Sequence, residues 1–162
     1  MKVFLDSSII RDLVSPVRRV RTAANDQIGR LNRDSHDVFV PQIVLGEALS
    51  TLMRDYQNNP SEGHNTLIKL YDKLSEIMDM NTNFPSLNQN LTNCAQKIKF
   101  RDSYIKDTDA LVVAHAMVEP DSNRLITSDA NLIDSTAITC IEQEMRNDGA
   151  RTAELRIVDS LN

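Results

Sequence analysis

Apolar residues recur along this chain in two alternating rhythms, short unbroken runs and longer stretches in which they return every three or four positions. The runs at Lys2–Leu5, Asp37–Val40, Arg124–Thr127 and Leu155–Val158 have the length and continuity of buried strands. Helical spacing fills the intervals. Ile9, Ile10, Leu13 and Val14 make an apolar face behind the hydroxyls of Ser7 and Ser8, and Pro16 ends or resets that helix. Val17, Val20, Ile28 and Leu31 continue the rhythm to the turn signal Asn32-Arg33-Asp34-Ser35. Pro41 suits the first turn of a helix whose stripe is Ile43, Val44, Leu45, Leu49, Leu52 and Met53.

The next stretch reads as helical from Thr66 to Met80, after a break at Asn58-Asn59-Pro60-Ser61 and a Ser61-Glu62-Gly63-His64 segment with no capping acid at its end. A polar loop is expected over Asn81–Ser86, then a helix from Leu87 to Tyr104. Asp107 or Thr108 is expected to cap an apolar helix running to Val118, and a last helix spans Thr136–Met145 before Asn147-Asp148-Gly149 stops it. Helices between every pair of strands imply an α/β fold. The expectation is a three-layer sandwich with a central, mostly parallel twisted sheet of about four to five strands and helices on both faces. The chain of 162 residues suits one domain, 1–162, with a helical arm around 61–104.

Composition narrows the class. An apolar fraction of 41% and a charged fraction of 25% are those of an ordinary soluble globular protein. No run approaches a bilayer span, and the N-terminus turns acidic too soon for a secretory signal, so a cytoplasmic protein is expected. Cys94 and Cys140 form no CxxC pair, which removes zinc and redox motifs from consideration. The net charge of −5 argues against nucleic-acid binding, until four particular acids are set apart. Without them 19 acidic residues face 18 basic ones. Basic charge also concentrates at Arg18, Arg19, Arg21, Arg30 and Arg33, a candidate phosphate-contacting surface.

The four acids are Asp6, Glu47, Asp109 and Asp129, each where an expected strand exits or a helix starts. Carboxylates so placed meet at one edge of an open α/β sheet. Brought together, they repel unless a hard divalent cation with oxygen ligands is shared. Glu47 is hard to explain otherwise, because it falls among Val44, Leu45, Ala48 and Leu49, where an unpaired charge is costly. An aspartate at a helix start is more often a cap, and Asp107 is read as a cap or an outer supporting group. His115, on an apolar helix, is read as a packed, hydrogen-bonded histidine, and His36 and His64 lie in turns. There is no Ser-His-Asp pattern, no phosphate-cradling glycine loop and no histidine cluster. Metal-assisted phosphoryl chemistry is the one catalytic style with visible parts.

Leu5-Asp6-Ser7-Ser8-Ile9-Ile10, Leu45-Gly46-Glu47-Ala48, Asp109–Ala116 and Ile126–Asn131 occur in an order that resembles PIN-domain ribonucleases, most of all the VapC-like toxins. The resemblance covers essentially the whole chain. It implies a PIN-like fold, an acidic quartet of Asp6, Glu47, Asp109 and Asp129 binding Mg²⁺ or Mn²⁺, and hydrolysis of RNA. Ser8 and Asn131 occupy positions of secondary candidates. It further implies a small antitoxin partner and a homodimer, for which the apolar helices between Thr66 and Tyr104 are available. His115, the long segment between Glu47 and Asp109, and the helix after Asp129 depart from the usual pattern. Aromatic residues are 4% of the chain, so recognition through phosphate contacts and RNA shape is expected rather than a stacking platform. Two other readings stay open: an RNA-processing nuclease with no antitoxin, and a silent PIN-like binding module. A haloacid-dehalogenase phosphatase would want an acid where Ser8 stands.

Overall fold

The first apolar run lies at the centre of the sheet. In the computed structural model, which describes residues 1–160, Lys2–Leu5 forms β1 with Val3, Phe4 and Leu5 no more than 1% exposed. Covering on both faces is what the middle strand of a parallel sheet requires. Ser7–Asp12 (α1) and Arg18–Arg33 (α2) lead to β2 at Asp37–Phe39, which pairs with β1 in parallel and stacks Phe39 on Phe4 at 4.8 Å between ring centres. Gln42–Asp55 (α3), Pro60–Met78 (α4), Thr82–Asn83 (β3) and Gln89–Arg101 (α5) follow. Asp107–Val118 (α6), Ser122–Ile126 (β4), Ala130–Ile133 (α7), Thr136–Asn147 (α8) and Arg156–Val158 (β5) complete the described chain. All strand pairs are parallel, in the order β3-β2-β1-β4-β5, with helices on both faces. No described helix is long and apolar enough to cross a membrane.

The strand order reverses direction at β1, whose neighbours are β2 on one side and β4 on the other. Such a switch leaves a crevice outside the carboxyl ends of the two strands. Asp6 follows β1 directly, and Thr127, Ser128 and Asp129 follow β4. The backbone N–H of Asp6 donates to the Ile126 carbonyl at 3.0 Å, fastening these two exits together.

Three local expectations are corrected. Within Asn81–Ser86, Thr82 and Asn83 form the edge strand β3, held by Val38 N–H to Asn81 and Val40 N–H to Asn83, both 2.9 Å. A strand this short has no periodicity to read; its partner defines it. α4 begins at Pro60, because the capping residue is Asn59, whose side chain accepts from the Glu62 N–H and donates to the Glu62 carboxylate at 2.7 Å. The acid completing that exchange was present, in a box that starts two residues earlier than Ser61. Gly63 is needed there, since a Cβ would lie 2.8 Å from the Cβ of Tyr56. Asp107 is not the cap of α6. Lys106 holds that position, and Asp107 is exposed and ion-paired with Lys99 at 3.1 Å.

Candidate metal centre

Three of the four singled-out acids converge. One carboxylate oxygen from each of Asp6, Glu47 and Asp109 lies within 4.8 Å of the others. Asp6 comes from the end of β1, Glu47 from the second turn of α3 and Asp109 from the first turn of α6. Helix packing of α3 on α1 and on α6 carries Glu47 across to the other two. Asp129 lies outside this trio but lines the same cavity of about 380 Å³.

Asp6 is 3% exposed, and its two oxygens are in different situations. Oδ2 accepts from the hydroxyls of Thr127 at 2.7 Å and Ser8 at 2.8 Å. Those hydroxyls in turn accept from the backbone N–H groups of Asp129 and Ser128, each at 3.0 Å. Both protons are thus committed to Asp6, so the 3.4 Å approach of Ser8 to Thr127 is proximity, not a further bond. Oδ1 is buried with no partner among the described residues. Glu47 repeats the arrangement: Oε1 accepts from the Thr108 hydroxyl at 3.1 Å, and Oε2 is buried and unpartnered. One oxygen on each carboxylate is held, and the other is left open.

Burial raises the Asp109 carboxyl to about 6; Lys106, 4.0 Å away, works against this, and Asp6, Glu47 and Asp129 reinforce it. A hard divalent ion relieves this repulsion and supplies the missing partners of the open oxygens, so the residues present fit Mg²⁺ or Mn²⁺. Asp129 instead caps α7, accepting from the Asn131 N–H at 2.8 Å. Asn131 thereby orients Asp129.

The five arginines of the expected basic surface do not line the acid cavity. Arg18, Arg19, Arg30 and Arg33 are exposed on α2, and Arg21 donates to the Ser15 carbonyl at 2.5 Å, bracing the turn between α1 and α2. The cations that do line the cavity are Arg11 and Lys106. Arg11 has a buried Nε with no hydrogen-bond partner among the described residues. Its signal was legible: it follows Ser7 and Ser8 by four and three positions, on the same face of one helix. Thr108 and Thr127 were missed as the groups holding Glu47 and Asp6, since nothing local marks a hydroxyl as a carboxylate's partner. His115 is buried, as read, but its Nε2 has no hydrogen bond.

No protein-family model and no curated protein matches the sequence. Solved structures match its shape. One is VapBC2 from Rickettsia felis bound to a DNA fragment from their promoter, with a TM-score of 0.56 and 12% identity over 96% of this chain and 98% of that one. Another is VapC20 of Mycobacterium tuberculosis, a Sarcin-Ricin loop cleaving toxin, with a TM-score of 0.59 and 17% identity over 80% of this chain and 91% of that one. The fold is the VapC-like PIN fold. In this fold the acid trio occupies the crevice at the exits of β1 and β4, where an open parallel sheet takes its ligands.

Proposed function

We propose that the chain is a metal-dependent endoribonuclease and the toxin of a toxin–antitoxin pair. The observation that carries this reading is the convergence of Asp6, Glu47 and Asp109 with two buried carboxylate oxygens left open. The fold it shares with a toxin that cleaves the Sarcin-Ricin loop supports RNA as the substrate class. Its likeness to VapBC2 supports a small antitoxin as partner. Mg²⁺ or Mn²⁺ at the trio supplies Lewis-acid neutralisation of the scissile phosphate.

The chain's own residues then divide the work. Asp6 and Glu47 present fixed oxygens to the cation because Ser8, Thr127 and Thr108 hold their other oxygens. Asp109, its carboxyl raised by burial to about 6, would complete the carboxylate set that holds the cation. Asp129 acts from the wall of the cavity, oriented by Asn131. Arg11 and Lys106 contact the non-bridging phosphate oxygens, Arg11 through its planar fork. Arg18, Arg19, Arg30 and Arg33 contact phosphates farther along the RNA. The exposed Ile68, Tyr71 and Met78, which share one side of α4, support a homodimer.

The test is cleavage of labelled structured and single-stranded RNAs with Mn²⁺, Mg²⁺ or chelator, beside Asp6→Asn. Metal-dependent cutting that falls roughly a hundredfold to a thousandfold in the variant is the expected result, as several kcal/mol of charge stabilisation imply. Cutting that survives the substitution would remove Asp6 from the site.

A further inference from the structure

The acid cavity does not end at the carboxylates. A second cavity, of about 440 Å³, continues from it and shares Lys106, Asp109, Asp129, Ala130 and Asn131. Tyr104, a residue 96% exposed, also lines this second cavity but not the acid cavity. This ring projects from the short connection between α5 and α6, and that connection is firmly held. The Tyr104 N–H donates to the Asp102 carboxylate at 3.0 Å, and the Lys99 ammonium donates to the carbonyls of Ser103, at 3.0 Å, and Ile105. Ile105, next in sequence, is buried at 5% exposure. The backbone anchors on either side turn the ring outward into water beside the candidate metal centre.

We propose that Tyr104 is the stacking platform for a nucleobase adjacent to the scissile phosphate. The inference rests on the ribonuclease reading and names a substrate contact for it. A ring presented edge and face to water recovers contact only when a flat apolar group covers it, and a base does so without disturbing the phosphate at the carboxylates. The remaining walls specify the edge of that base. Asp102 and Asp134 are acceptors, and Asn131 offers a carbonyl oxygen, so a base presenting adjacent N–H donors fits. Guanine presents such a pair, and uracil presents one donor between two acceptors. A base held here sits beside Lys106, the one cation shared by both cavities, which reaches the connecting phosphate.

The experiment uses the full chain carrying Asp6→Asn, with short single-stranded RNAs labelled for anisotropy, one all-uridine and one with a single central guanosine. Tyr104→Ala is expected to weaken binding of the guanosine RNA roughly tenfold, the scale of one base–aromatic stack, and Tyr104→Phe to leave it within about twofold. The chain has no tryptophan, so tyrosine fluorescence quenched by RNA in the Asp6→Asn protein and lost with Tyr104→Phe reports the stack directly. Circular dichroism checks folding, which an exposed side chain should not alter. Equal binding by the Tyr104→Ala and unmodified proteins overturns the platform while leaving the ribonuclease reading intact. All-uridine RNA bound as tightly as the guanosine RNA overturns the edge recognition. RNA bound by no form of the protein overturns both readings together.

Discussion

Two regions of this molecule bury charge, and they treat it in opposite ways. At the carboxyl edge of the sheet, Asp6 and Glu47 each keep one buried oxygen without a partner. At the amino edge, Arg151 is 3% exposed and closes the C-terminal end of α6. Its guanidinium donates to the carbonyls of Ala116, Met117, Glu119, Ser122 and Ala153, and its Nε lies 3.6 Å from the Glu142 carboxylate. Glu142 also takes Arg146 at 2.9 Å and the Leu155 N–H at 3.1 Å. A cation at a helix C-terminus with this many acceptors stabilises by completing orphaned carbonyls. The difference teaches how to tell the two uses of buried charge apart. A structural charge is met by an opposite charge and several acceptors of the protein itself, with only the Arg151 Nε lacking a hydrogen bond among the described residues. A site for an external ion gathers like charges, Asp6 and Glu47 each held on one side and open on the other.

The comparison breaks most sharply at Arg151. Arg151→Met should destabilise the fold by about 3–5 kcal/mol, because Glu142 and the helix-end carbonyls lose their partner. Urea denaturation measures it; a loss near zero would mean Arg151 is as dispensable as a surface charge.

His115 lies on α6 between the two regions and is neither closed nor open to solvent. Burial lowers its pKa to about 4, below the ordinary 6.5, so it folds neutral. The unfolded chain then binds more protons between those values, and stability is lost as pH falls from 6.5 toward 4. Roughly 3 kcal/mol is expected from this group. Comparing the pH dependence of unfolding with His115→Leu isolates it, and parallel profiles for the two proteins would contradict it.

The open region should behave in the reverse sense to Arg151. Asp109→Asn removes a charge that burial penalises, so the metal-free variant should be more stable by about 1–3 kcal/mol at neutral pH. Mn²⁺ should raise the melting temperature of the unmodified protein alone. A destabilised variant would mark Asp109 as a structural charge.

The smallest expected effect concerns the held side. Thr127→Val keeps the shape but removes one of the two hydroxyls that hold Asp6 Oδ2, leaving Ser8, and should weaken Mn²⁺ binding roughly 10–100-fold without unfolding the chain. Calorimetry decides between that and a hydroxyl with no part in holding the ion.

How much of this was legible depends on the range of the interaction. β1, β2 and β4 could be located from their apolar runs, and α3 from its stripe, because burial on one or both faces imprints a period on the sequence. Asp6 and Glu47 stood out for the same reason, as acids at the margins of strongly apolar segments. β3 left no such imprint, because Thr82 and Asn83 are a strand only by pairing with Val38 and Phe39. α7, one turn long, is shaped by the Asp129 cap rather than by periodicity.

The sequence by itself determined the parallel α/β plan and which acids could meet at one sheet edge, since hydrophobic period and strand-exit position are local properties. Only the tertiary structure decided that Asp129 stands apart from the closest trio and that Thr108 and Thr127 hold the carboxylates. It also decided that Arg11 and Lys106, rather than the arginines of α2, line the cavity. The physical reason is that hydrogen bonds and carboxylate repulsion act over a few ångströms. Positions as far apart as Asp6 and Thr127 reach that range only once β1 and β4 lie side by side.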